Sequence, residues 1–419
     1  MPLQGDKKEY ADIVFVLLII YGISTTLSIA VTNIVLGLLL MVALIKFISG
    51  KKFFYSLEGL PLLFLFFWRA ARTFFNPSNW FKYGGKFWDH LPYFIIPQFK
   101  LKRIKIIIYI TLAVASLTAL LGVLQFFGGF NYPFLKMQFV RDHMFFGLNF
   151  RNRLHTGGYY SIITIVTFVF FCYSNESRKM KIVLLAVSLL NFVAVLLSLT
   201  RTYYVATSLA IFIILLRKKL KWLILGAGLI SILFFAPLRI SYELKERVAS
   251  IFTTKQNSSN MERLWMWKTA LIIIKKHPII GVGYGNWSNE VETYFEKDKG
   301  QEPLLWIITR YRKVGVDEQM ILSVFKGHPH NAYLNVAVEG GLVGLALFLI
   351  FWAGNSIAAF SRARLAEKGT VLYALNIAVG YSIIMLLIGA FFENNLTTAR
   401  LLLPITFLMG LSYMKFEKE

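Results

Sequence analysis

Long apolar stretches separated by short polar tracts run along nearly the whole chain. Ten are clear, at roughly 11–31, 32–48, 106–127, 156–173, 183–199, 202–216, 222–237, 332–356, 371–391 and 398–414. About 30 Å of hydrocarbon takes about 20 apolar helical residues to cross, so this spacing predicts membrane-spanning helices. Two weaker stretches complete the pattern: 59–75, which carries Arg69 and Arg72, and 84–98, which is interrupted by Pro92 and Pro97. The predicted fold is an all-α polytopic membrane protein of about twelve transmembrane helices. Residues 1–237 hold the first nine spans, 238–331 form one large loop, and 332–419 hold the last three. The polar N-terminus leads into two successive apolar runs, which reads as a retained span rather than a cleaved leader.

Composition agrees with the pattern. Apolar residues make up 57% of the 419, and charged residues only 16%, whereas a soluble domain carries about 25% charged residues. The formal charge of +23 invites a nucleic-acid reading, but its distribution argues against one. Basic residues gather between spans, at Lys51-Lys52, Lys100 to Lys105, Arg178 to Lys181, Arg217 to Lys221 and Arg362 to Lys368. With twelve spans, all these tracts and both termini share one side, as the positive-inside rule requires. The single cysteine, Cys172, excludes an intrachain disulfide and a thiolate metal cluster.

Residues 128–155 and 238–331 then lie on the opposite, non-cytoplasmic side, where the chemistry is expected. Thr200-Arg201-Thr202 alone joins two spans there and pins Arg201 to that surface. Within the long loop, residues 261–276 place Leu264, Trp267, Leu271 and Ile274 at helical spacing and predict an amphipathic helix. Arg263 falls in its first turn, which is unfavourable for a cation unless it meets an anion. The glycines of Gly281-Val282-Gly283-Tyr284-Gly285 follow a helix rather than a strand and read as a turn.

The loop closes with His328-Pro329-His330-Asn331. Proline suits the first helical position, which predicts His330 in the first turn of the tenth span. The positive helix end there favours a neutral imidazole able to accept a proton, and its free N–H groups suit an anion. Asn331, Asn335 and Glu339 share one face, with Glu339 about 13 Å deeper than His330. Glu339 is either a functional carboxylate or the partner of an arginine locking two helices. Gly340, Gly341 and Gly344 admit a close neighbour, either a helix or membrane lipid. Glu393-Asn394-Asn395 with Arg400 forms a further polar cluster, either an interfacial turn or part of the site, and Arg141, Arg151, Arg153 and His155 are basic groups that serve either as ordinary surface charge or as phosphate contacts.

His328-x-His330 lacks the companions of a metal site, and neither a Gly-x-Ser-x-Gly elbow nor a usable cysteine supplies a nucleophile. General-base activation of an incoming hydroxyl remains, with arginines supporting a departing phosphate. Such a transfer needs no cofactor, and at the outer membrane surface its donor would be lipid-linked.

The order of landmarks resembles the O-antigen ligase family, in the superfamily that also holds O-antigen polymerases and O-oligosaccharyltransferases. The resemblance is carried by Leu197-Ser198-Leu199-Thr200-Arg201, then Arg263-Leu264-Trp265 with Pro278 and Gly281-Val282-Gly283. His330-Asn331-x-x-Leu334 with Glu339, Gly341 and Gly344 completes it. The resemblance implies a metal-independent, inverting, membrane-embedded glycosyltransferase in a bacterial inner membrane, with a periplasmic site and cytoplasmic termini. The donor would be an undecaprenyl-pyrophosphate-linked glycan and the acceptor a sugar hydroxyl of the lipid A-core. His330 would be the base, with Glu339 and Glu393 as catalytic carboxylates. Arg201 and Arg263, with Asn331, Arg151 and Arg153, would bind the pyrophosphate. A polymerase, a protein O-oligosaccharyltransferase and a glycolipid transporter remain alternative readings, and the lack of an added soluble domain leans toward the ligase.

Overall fold

The computed structural model describes residues 4–50, 52–54, 56–73, 86–100, 103–128, 153–217, 258–313 and 315–414. Among them every regular element is helical. The N-terminal half contributes α1 (Gln4–Leu27), α2 (Ile29–Ile48), α3 (Leu60–Thr73), the short α4 (Leu91–Ile95), α5 (Ile104–Gly128), α6 (Arg153–Tyr173), α7 (Arg178–Leu197) and α8 (Arg201–Leu216). Four loop helices follow: α9 (Ser258–Lys276), α10 (Trp287–Asp298), α11 (Leu304–Arg312) and α12 (Glu318–Phe325). The chain ends in α13 (Ala332–Leu365), α14 (Val371–Ala390) and α15 (Ala399–Tyr413).

Six of the described helices are long and apolar enough to cross a membrane, and Ala11–Leu27, Arg201–Leu216 and Ala399–Tyr413 are shorter apolar helices. This is the build of a multi-pass membrane protein. The expected span at 222–237 lies outside the described residues. The expected span at 84–98 differs from its prediction. Its described part is a helical turn, then α4 and a 3-10 turn at Ile96–Gln98. Pro92 and Pro97 remove backbone donors and break any continuous helix there. The segment is nevertheless buried, with Tyr93, Ile95 and Ile96 in the main core.

α6 lies at the centre, buried without interruption from Thr156 to Phe170, and it packs against α7, α8, α14 and α15. Its hydroxyls are satisfied inside the helix, as in Thr164 Oγ1 donating to the Tyr160 carbonyl at 2.7 Å. Others cross between helices, as in Thr207 donating to Ser161 at 2.7 Å and Asn191 to Ser116 at 2.9 Å. In hydrocarbon, such bonds between small polar residues add to close packing.

The loop helices build a second core around Trp265, Trp287, Phe295 and Phe325, to which α13 contributes Val338. The buried face of α9 is Trp265, Met266, Ala270 and Ile273. The sequence reading placed the apolar face nearly half a turn away, on Leu264, Trp267, Leu271 and Ile274, of which Leu264 and Leu271 are exposed at 44% and 51%. α9 is apolar on most sides, so spacing alone does not choose the face; the aromatic partners of the loop core do. Residues 286–327 supply three helices of this core.

α13 is interrupted. Gly341 sits at φ 66° and ψ −168°, outside any helical conformation. The loop chain runs into this gap: Val282 N–H donates to the Val338 carbonyl at 2.8 Å, Gly283 N–H to Glu339 at 3.0 Å, and Leu342 N–H to Pro278 at 2.7 Å. The backbones come so close that a Cβ on Gly341 would lie 2.1 Å from the Ile279 carbonyl oxygen. A Cβ on Gly281, itself at φ 64°, would lie 2.5 Å from that of Val338. The glycine run is therefore a turn, as its sequence indicated, and one that docks into a broken helix. Of Gly340, Gly341 and Gly344, Gly341 meets the loop, while a Cβ on either of the other two would meet Trp68 of α3 at ordinary van der Waals distance.

Candidate functional site

The site is assembled where three chain segments meet. Glu393 lies just beyond the end of α14, its N–H bonded to the Gly389 carbonyl at 3.1 Å. Its carboxylate is almost fully buried, at 4% exposure. One oxygen, Oε1, accepts from Arg263 Nη2 of α9 at 2.5 Å. The other, Oε2, meets His330 Nδ1 at 3.2 Å. A carboxylate accepts only, so this contact with a neutral ring puts the proton on Nδ1 and leaves Nε2 as a proton acceptor. A base oriented by a buried carboxylate is a recurrent catalytic arrangement.

His330 does not stand in the first turn of α13, as the sequence reading had it. The N-cap is Asn331, whose side chain accepts from the Leu334 N–H at 3.0 Å, so the helix begins two residues beyond His330. Asparagine is a preferred N-cap, and Pro329 consequently lies outside the helix. His330 adopts φ 50°, a left-handed conformation uncommon for a residue with a side chain. Its N–H donates to His328 Nδ1 at 3.2 Å, and the two imidazoles pack edge to face at 4.4 Å. Burial, followed by the charge His330 can carry, pushes His328 down to about 4, so it remains an acceptor at neutral pH. Among the described residues no three His, Cys, Asp or Glu side chains form a metal-holding group.

α9 begins at Ser258, which places Arg263 in the second turn rather than the first, and the anion it meets is Glu393. Arg201, the first residue of α8, donates to Asn260 Oδ1 at 3.2 Å. Asn260 and Arg263 are three residues apart on one helix face, so Arg201 and Arg263 are brought to the same end of α9. Asn331 is occupied within the fold. Besides capping α13, its Nδ2 donates to the Phe391 carbonyl at 2.9 Å, tying the base-bearing segment to the one that carries Glu393.

Glu339 is not brought to this cluster. It pairs with Arg69 of α3 at 3.1 Å, with both side chains 7% exposed or less, and it accepts from the Gly285 N–H at 3.2 Å. The helix-locking role open in the sequence is the one the structure displays. Arg151 and Arg141 lie outside the described residues, and Arg153 is described only as the first backbone position of α6. His155, two residues on, is within electrostatic reach of Arg400, Lys86 and Glu393. Sequence reasoning missed Lys86, which donates to the Thr397 carbonyl and so links the broken 86–98 segment to the turn after Glu393. It also missed Trp267, whose indole N–H donates to the Pro329 carbonyl at 2.9 Å. Its spacing along α9 marked it only as apolar.

Bundle and site together define a multi-pass membrane protein with a carboxylate-oriented histidine and two arginines beside it. Residues 185–349 match the model of the O-antigen ligase family. The matched segment contains Arg201, Arg263, His328 and His330 and the broken part of α13, and members of the family are glycosyltransferase-like enzymes. A search of the curated proteins returns no match.

Proposed function

We propose that the protein is an O-antigen ligase, moving a glycan from undecaprenyl pyrophosphate to a sugar hydroxyl of the lipid A-core at the periplasmic surface of the inner membrane. The observation that carries this reading is the division of Glu393 between His330 and Arg263, which joins a base to a cation. His330 Nε2 takes the proton of the acceptor hydroxyl as its oxygen bonds to the anomeric carbon. The bond from that carbon to the pyrophosphate oxygen breaks on the opposite face, its electron pair leaving with the phosphate, and the configuration inverts. Arg201 and Arg263 hold the pyrophosphate and stabilise its added charge. Guanidinium suits this task because it grips two oxygens and stays charged. Glu393 fixes the tautomer of His330, and Arg263 has donors beyond the one it gives Glu393. Arg151 and Arg153 belong to the same proposal as further phosphate contacts, and Glu339 as a support of the site rather than a reacting group.

Purified protein supplied with undecaprenyl-pyrophosphate-linked glycan, a chelator and either lipid A-core or an acceptor peptide tests the reading. Core glycosylation lost in His330→Ala is the expected result. Persistent turnover in that variant removes His330 as the base, and glycosylation of the peptide alone replaces the ligase by a protein O-oligosaccharyltransferase. Movement of lipid-linked glycan across vesicles without a new glycosidic bond identifies a transporter.

A further inference from the structure

The peptide bond before His330 is held at both ends. Its carbonyl, from Pro329, accepts from Trp267 Nε1 at 2.9 Å; its N–H, from His330, donates to His328 Nδ1 at 3.2 Å. A peptide unit is planar, so two bonds in opposite directions fix the orientation of the whole plane. We propose that Trp267 and His328 are positioning residues that hold the imidazole of His330 against Glu393 by clamping this peptide. The proposal rests on the reading of His330 as the base.

Three observations converge on it. His330 keeps φ 50°, a conformation that L-residues with a Cβ adopt only when their surroundings impose it. Released from the clamp, the residue relaxes toward negative φ and its Cβ swings away from Glu393. Second, Pro329 restricts the residue before it to extended conformations, which leaves the His328 side chain to fold back onto the N–H two residues on. Burial keeps that ring neutral and accepting. Third, Trp267 follows Arg263 by four residues, so both project from one side of α9. One helix thereby sets the cation through Glu393 and the base through its backbone.

Trp267→Phe keeps the aromatic bulk and removes only the N–H. His328→Leu removes the acceptor, whereas His328→Asn places an oxygen where Nδ1 stood. In the core-glycosylation assay, Trp267→Phe and His328→Leu lower kcat about 10- to 100-fold, the size expected of a misplaced catalytic group. KM for the donor stays within about two-fold, and His328→Asn recovers most of the rate. Neither substitution lowers residual turnover further when combined with His330→Ala, a result that loss of folding would not give. Unchanged kcat in both Trp267→Phe and His328→Leu, or equal losses in His328→Asn and His328→Leu, overturns the clamp. Full activity of His330→Ala instead overturns the base assignment, and the two failures are distinguishable.

Discussion

Arg69 of α3 and Glu339 of α13 meet at 3.1 Å with both side chains shut away from solvent. They form an ion pair without the alignment of a hydrogen bond, and Arg69 also lies over the Tyr284 ring at 5.7 Å. Removing one charge strands the other in a place that cannot solvate it, at a cost of about 3–5 kcal/mol. Replacing both by apolar residues of similar size removes that cost. Arg69→Met and Glu339→Leu alone are expected to lower the melting temperature sharply, and the double variant to recover it. If the recovered double variant also keeps its transferase activity, Glu339 is structural. Loss of activity in a well-folded double variant gives it a role in the chemistry.

Gly341→Ala forces a side chain into the Ile279 carbonyl at a positive φ. Strain alone of this kind costs on the order of 1–3 kcal/mol, and the contact adds to it. Lower yield and a melting temperature reduced by several degrees are expected, measured beside Gly344→Ala, where the nearest atom would be 3.7 Å away. Equal stability of the two variants contradicts the docking of the loop turn in the helix gap.

Glu393→Gln keeps the shape of the side chain but neutralises the group on which Arg263 and His330 both rest. Its amide can also donate where the histidine needs an acceptor, which favours the wrong tautomer. The expected loss in kcat is on the order of 10²–10⁴-fold, with the fold retained by circular dichroism. A variant within a few-fold of the parent rate would contradict the orienting role.

His328 gives stability a pH dependence. It titrates near 6.5 in an unfolded chain and near 4 in the fold, where burial acts first and His330, Glu393 and Arg263 are the ionisable groups around it. Between those values the unfolded chain binds the extra proton. Stability is therefore complete above about pH 6.5 and falls as the pH drops toward 4, by up to ~1.4 kcal/mol per pH unit. Melting curves at pH 7 and pH 5 are expected to separate more for the parent than for His328→Asn. Equal separations would show that His328 is already charged in the fold.

Much of this was legible in the chain. The apolar runs announced the bundle because a bilayer demands length and little else, and His330, Arg201 and Arg263 stood out as polar groups at its edge. Glu393 stood out only as one member of a polar cluster and took a role from the resemblance, since a carboxylate in a short polar cluster resembles an interfacial turn. The face of α9 was misread because leucines and tryptophans surround it, and the choice belongs to partners 30 to 60 residues away, Phe295 and Phe325 among them. The start of α13 was misplaced because Asn331 and Pro329 both compete to begin a helix. A side-chain acceptor for the Leu334 N–H decided between them. The Trp267 bond ends on a backbone carbonyl, which no side-chain pattern reveals.

The break at Gly341 cuts α13 into unequal lengths. Below it, Leu342 to Leu365 make a rod of about 36 Å, enough to cross the bilayer unaided. Above it, the short piece from Ala332 gives Val336 to the bundle core and Val338 to the loop core. That piece is a shared axle, and the loop turn splints the break, bonded above it at Val338 and Glu339 and below it at Leu342. The loop core is thus fastened to both lengths of α13 at once, and the segment that carries the histidine inherits its position from that splint.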